Sequence, residues 1–86
     1  MYEKMIEKYI NKLTKEDILK FSYTQNVKLT HEELDIIYFY IKEYWRQIVK
    51  SDPTSIFMEL KEKLSTNVYN KMIELYNKYK GYKKYL

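Results

Sequence analysis

THEELDIIYFYIKEYWRQIVK, residues 30–50, is the stretch whose reading decides the fold. Thr30 followed three residues later by Glu33 has the spacing of a capping box, in which hydroxyl and carboxylate each satisfy the other residue's amide. Leu29 before the cap and Leu34 at the fourth helical position have hydrophobic-staple spacing. Glu32, Glu33 and Asp35 place negative charge near the positive end of the helix dipole. At the far end Asp52-Pro53 stops the helix, because the residue before proline is driven out of the α region. The spacing predicts one long helix over about 31–50.

At about 100° per residue, Leu34, Ile37, Tyr38, Ile41, Tyr44, Trp45, Ile48 and Val49 share an arc of about 140°. Ile36, Phe39 and Tyr40 fall on the opposite side. A helix apolar on two faces is either sandwiched in a core or carries a contact surface. Ile36, Phe39 and Tyr40 are therefore the candidate protein contact. The competing expectation is that the N-terminal helix covers them. A membrane span is excluded for this stretch. Its uncharged run Ile36–Ile41 is far short of the roughly 20 apolar residues a span requires, and Lys42, Glu43 and Arg46 follow.

Eighty-six residues without cysteine make one small domain with no disulfide or thiolate chemistry. A chain of this size buries only about 60% of its unfolded surface, so a partner or a second copy has room to contribute stability. The composition includes 15 Lys, one Arg, 11 Tyr and no Ala, as A/T-rich codon usage would produce. The net charge is +4, but residues 1–77 balance 12 cations against 12 anions. The whole excess sits on Lys78, Lys80, Lys83 and Lys84. The opening Met1-Tyr2-Glu3-Lys4 is charged and amphipathic rather than a leader, and the expected location is the cytoplasm.

The rest of the chain reads as short helices. Tyr2, Met5, Ile6, Tyr9, Ile10 and Leu13 recur at helical steps over residues 2–12. Glu3–Glu7, Lys4–Lys8 and Lys8–Lys12 are like-charged pairs four apart, so this helix needs tertiary packing to hold. Thr14, with Asp17 three later, caps a second helix running to about Gln25, and Asn26 is a left-handed stop. Val27-Lys28-Leu29 is an extended connector with Val27 and Leu29 on one side. Asp52 caps a fourth helix with Pro53 in its first position, carrying Ile56, Phe57, Leu60 and Leu64. Ser65 or Thr66 caps a fifth, with Val68, Tyr69, Met72, Leu75, Tyr76 and Tyr79 at helical spacing and Gly81 as its stop. The expectation is an all-α bundle of four to five short helices around the long one, over residues 1–80, with a basic, Tyr/Lys-rich tail at 81–86.

Leu13-Thr14-Lys15-Glu16-Asp17-Ile18-Leu19, Asn26-Val27-Lys28-Leu29-Thr30 with Glu33, Ile56-Phe57, Ser65 and the Met72, Leu75, Tyr76, Tyr79 stripe carry a resemblance. From about Met5 to Tyr79 the chain resembles a small bacterial family known as a domain of unknown function. Those residues are caps and core positions, so the resemblance implies a fold and no catalytic residue. That family favours a glycine break before the fourth helix. Tyr44–Val49 lacks glycine here, which implies a longer third helix. Residues 18–41 also resemble in layout the helix–extended-loop–helix of SAP and LEM domains, some of which bind DNA. His31, Glu32, Glu33 and Asp35 stand where such binders place small and basic residues, and three carboxylates there would repel phosphates.

Few residues could carry chemistry. Nucleophilic catalysis requires a Ser or Cys beside a base, and the only His is His31 at a helix start. One His and no Cys cannot make the usual zinc site. Glu16/Asp17 and Glu32/Glu33 are first-turn pairs explained by capping. A lone Gly81 gives no phosphate loop. No cofactor, no metal and no enzyme activity are expected. The C-terminal run, by contrast, interleaves cations with rings. Lys78, Lys80, Tyr82, Lys83, Lys84 and Tyr85 are the candidate nucleic-acid contacts, lysines for phosphates and tyrosine faces for bases. Without an arginine there is no bidentate phosphate fork. The sequence thus predicts a non-enzymatic protein–protein interaction module, with an unknown protein or a second copy as partner. The alternative is a weak RNA, DNA or ribosome binder using its tail.

Overall fold

The computed structural model describes residues 2–83. Among them are five helices: α1 (Tyr2–Lys12), α2 (Lys15–Thr24), α3 (His31–Lys50), α4 (Thr54–Lys63) and α5 (Thr66–Lys83). The long helix is unbroken, and the all-α bundle is built around it. Both expected capping boxes form. Thr14 Oγ1 accepts from the Asp17 amide, while the Thr14 amide donates to Asp17. Thr30 and Glu33 make the same reciprocal pair. Asn26 is left-handed at φ 61°. The Val27 amide reaches back to the Ser22 carbonyl and the Asn26 amide to the Tyr23 carbonyl, the paired bonds of a Schellman stop.

Two helix ends differ from expectation. α4 begins at Thr54, one residue late, with Pro53 flanking it. The Asp52 carboxylate accepts from both the Thr54 amide (3.0 Å) and the Thr54 hydroxyl (2.6 Å), an Asx turn leading into the helix. α5 runs through Gly81 to Lys83. Glycine permits a left-handed stop without imposing one, and its cost of about 1 kcal/mol in a helix is small enough for the last turn to absorb.

α3 is sandwiched between two apolar clusters. Tyr40 packs with Ile56, Leu60, Leu64 and Val68 from α4 and α5, joined by Ile36, Ile37 and Ile48 of α3 and by Val27 and Leu29 of the connector. Trp45 packs with Ile10 and Leu13 at the end of α1, joined by Ile6, Ile18, Ile41 and Val49. The broad arc read from the sequence is thus divided. Ile37 and Ile48 turn toward α4 and α5, and Ile41, Trp45 and Val49 toward α1. The smaller face with Ile36 and Tyr40 is covered by α4 and α5, not by the N-terminal helix.

The like charges on α1 are resolved across its interface with α3. Lys42, Arg46 and Lys50, four residues apart, form a cationic ridge along α1, with Arg46 and Lys50 facing Glu3 and Glu7 and Lys42 facing the end of α1. Arg46 binds Glu7 and approaches Glu3 (3.7 Å), and Lys50 binds Glu3 at 2.6 Å. The Glu3 carboxyl is held below its ordinary range, first by the hydrogen bond from Lys50. Lys42 Nζ donates to the Ile10 carbonyl (2.6 Å) and the Asn11 carbonyl (3.3 Å), placing a cation from another helix at the negative end of α1.

Candidate functional site

α2 packs on α3, and α5 on α4. Among the described residues, no Cα of α2 comes within 8 Å of one in α5. The space between them is an apolar groove of about 320 Å³. Its α2 wall is Ile18, Phe21 and Ser22, with Asp17 and Gln25 at the two ends. Its α5 wall is Val68, Lys71, Met72 and Leu75, and Ile37 and Ile41 of α3 also line it. Tyr9, Ile10 and Leu13 of α1 and Val27 and Leu29 of the connector complete it. These residues come from every helix except α4, so no local segment displays the groove.

The chemistry of the groove is set by how its polar side chains are already used. Asp17 is committed to the Thr14 amide, which holds its carboxyl below the usual range. The buried Ser22 hydroxyl donates to the Leu19 carbonyl at 2.6 Å. Gln25 donates to the Thr24 hydroxyl. Lys71 pairs with Glu74 at 2.6 Å. Each of the four is satisfied within its own helix or cap. What remains for a ligand inside the groove is apolar surface with Phe21 (51% exposed) and Tyr9 (66% exposed) at its edge, bordered on the α5 side by Lys71, whose carboxylate partner Glu74 also feels Lys78. Large apolar side chains left in water beside an apolar groove mark a contact surface more clearly than scattered ones.

The sequence-predicted contact residues are not equivalent. Tyr40 is buried, and its hydroxyl donates to Glu59 at 3.1 Å. Burial, then the Glu59 carboxylate, raises its pKa. Ile36 is half-buried against the same cluster. Phe39 alone stands out at 52% exposure, packed edge-on against Tyr40 and Tyr44. Covering by α4 and α5 thus reduces the three-residue patch to one exposed ring and its neighbour Tyr44.

The candidate nucleic-acid contacts lie on or beyond α5. Lys78 and Lys80 are exposed, Tyr82 and Lys83 fall in the last helical turn, and Lys84 and Tyr85 lie outside the described residues. Lys80 sits over the Tyr76 ring at 5.6 Å and close enough to Asp52 to help lower that carboxyl, behind the hydrogen bonds from Thr54. The Tyr76 ring itself meets Phe57 edge-on at 4.9 Å. Of the candidate contacts, Lys80 is thereby engaged with the Tyr76 ring and with Asp52 in the turn before α4.

Glu33 was legible only as a cap. It is buried at 7% exposure, and its second oxygen accepts the Ser65 amide at 2.8 Å. Ser65 Oγ in turn accepts from the Val68 amide at the start of α5. One carboxylate therefore joins the N-termini of α3 and α5. Burial opposes its ionisation, but the hydrogen bonds from Ser65 and Thr30 outweigh that and hold the carboxyl below its ordinary range. The groove was not legible in the sequence, because periodicity marks an apolar face without saying whether another element covers it.

Among the described residues no group of three or more His, Asp or Glu side chains could hold a metal, and no helix is long and apolar enough to cross a membrane. No protein-family model, curated protein or solved structure matches this chain.

Proposed function

We propose that this chain is a non-enzymatic, cytoplasmic protein-interaction module that receives apolar side chains of a partner protein in the groove between α2 and α5. The groove itself carries the reading. It is large enough for several side chains, and Asp17, Ser22, Gln25 and Lys71 each already have a partner within their own helix or cap. A reaction would need convergent, unpartnered polar groups, and the groove offers apolar walls instead. Phe39, on the opposite side of α3 from Ile37 and Ile41 and packed against Tyr44, is another exposed apolar surface and a weaker candidate, because two rings give a partner little area.

The test uses a neutral apolar fluorophore, N-phenyl-1-naphthylamine. Wild-type protein should bind it with a rise in emission. Phe21→Glu, at the groove edge, should weaken that binding, while Phe39→Glu should leave it unchanged. No rise with the wild type, or loss at Phe39 with none at Phe21, counts against the groove.

A further inference from the structure

Resting on that reading, we propose that the groove takes an amphipathic helix whose apolar stripe is bordered by acidic residues, its carboxylates meeting Lys71 and Lys78 along the α5 rim. The length of the groove sets the first part. Its α2 wall runs from Asp17 to Gln25, about 12 Å of helix at 1.5 Å per residue, or two to three turns. The volume of 320 Å³ is about twice that of a dry engineered cavity that benzene fills, so two or three large side chains fit. An amphipathic helix presents such side chains at i, i+3 or i+4, and i+7 over two turns.

Charge sets the second part. Residues 1–77 are formally neutral, and the surplus begins at Lys78, one turn beyond the groove residue Leu75. Lys71 lines the groove, and Lys78, seven residues on, follows it on the same side of α5 just past the groove, where with Glu74 it borders the adjoining face of the helix. Between them stands a single acid, Glu74, which pairs with Lys71 and also feels Lys78. One carboxylate shared by two ammoniums leaves this rim with net positive charge. The α2 rim has no such surplus, since Lys20 pairs with Glu16 and Asp17 is held by the Thr14 amide. A partner helix is thus attracted by carboxylates placed on its α5-facing flank. Nucleic acid could use the two lysines but not the apolar walls beside them.

The experiment titrates full-length protein into fluorescein-labelled model peptides of about 14 residues. Leucines form the helical stripe, and one peptide is flanked by Glu, the other by Lys. The Glu-flanked peptide should bind about fivefold tighter at low salt, and the preference should fade as salt rises. Lys71→Glu/Lys78→Glu should reverse the preference, and Phe21→Glu, with unchanged circular dichroism, should weaken both peptides. Equal binding of the two peptides, unaffected by the lysine reversal, overturns the acidic partner and leaves the groove reading standing. If neither peptide binds, or Phe21→Glu changes nothing, the groove reading falls and this proposal with it. A labelled oligo-dT that binds through the two lysines and displaces the Glu-flanked peptide, with Phe21→Glu indifferent, overturns the proposal in favour of a nucleic-acid surface.

Discussion

Replacing Glu33 by alanine should destabilise the protein far more than removing its capping partner. Thr30→Ala deletes one local bond, from the Glu33 amide to the Thr30 hydroxyl (3.0 Å), and N-cap losses of this kind cost about 1 kcal/mol. Glu33→Ala removes the acceptor of two other bonds, from the Thr30 amide (3.2 Å) and the Ser65 amide (2.8 Å). Hydrogen bonds to a charged group contribute about 1.5–3 kcal/mol each. Thr30 is exposed, which puts its share at the low end, and alanine's better helix propensity returns a few tenths. The expected cost is about 3 kcal/mol, from a total stability that for a chain of this size is about 4–13 kcal/mol. Urea unfolding followed by Trp45 fluorescence measures both variants, since Trp45 is the only tryptophan and is 5% exposed. The same bond makes a pH prediction. Because the folded pKa of Glu33 is lowered, its contribution is complete above the unfolded value. It is lost as pH falls through the unfolded value and then through the lowered folded one. The stability gap between wild type and Glu33→Gln should therefore narrow on acidification. If Glu33→Ala costs no more than Thr30→Ala, the tie between α3 and α5 contributes nothing and the reasoning is refuted.

Leu60→Ala, in the cluster joining α3, α4 and α5 at 2% exposure, should cost about 2–5 kcal/mol by urea melt. Asn26→Gly should be neutral to slightly stabilising and Asn26→Val destabilising by about 1–2 kcal/mol, because the φ of 61° penalises a branched side chain; thermal melts distinguish them. Lys42→Met should loosen α1 without unfolding the bundle. The expected result is faster amide exchange in α1 and a red shift of Trp45 emission, with α4 and α5 protection unchanged. Equal protection of α1 in the variant would show that the lysine is not its anchor.

Local grammar was legible in the sequence. Thr14/Asp17 and Thr30/Glu33 close their boxes because both partners lie within four residues, and backbone geometry brings them together whatever surrounds them. Asn26 stops α2 for the same kind of reason, since few residues tolerate a left-handed φ. The length of α3, the two-sided greasiness that demands cover, and the scarcity of catalytic side chains also follow from the order of residues alone. What covers each face of α3 was not legible, because helical periodicity has no long-range term. α4 and α5 took Tyr40 and Ile36, and α1 took Trp45, through packing choices made across tens of residues. The same limit hid the role of Lys42, Arg46 and Lys50, a like-charged row that makes sense only opposite Glu3, Glu7 and the carbonyl end of α1. The groove is the extreme case. Its walls come from α1, α2, the connector, α3 and α5, and it exists because α2 and α5 stand apart, a distance between segments that only the folded chain decides.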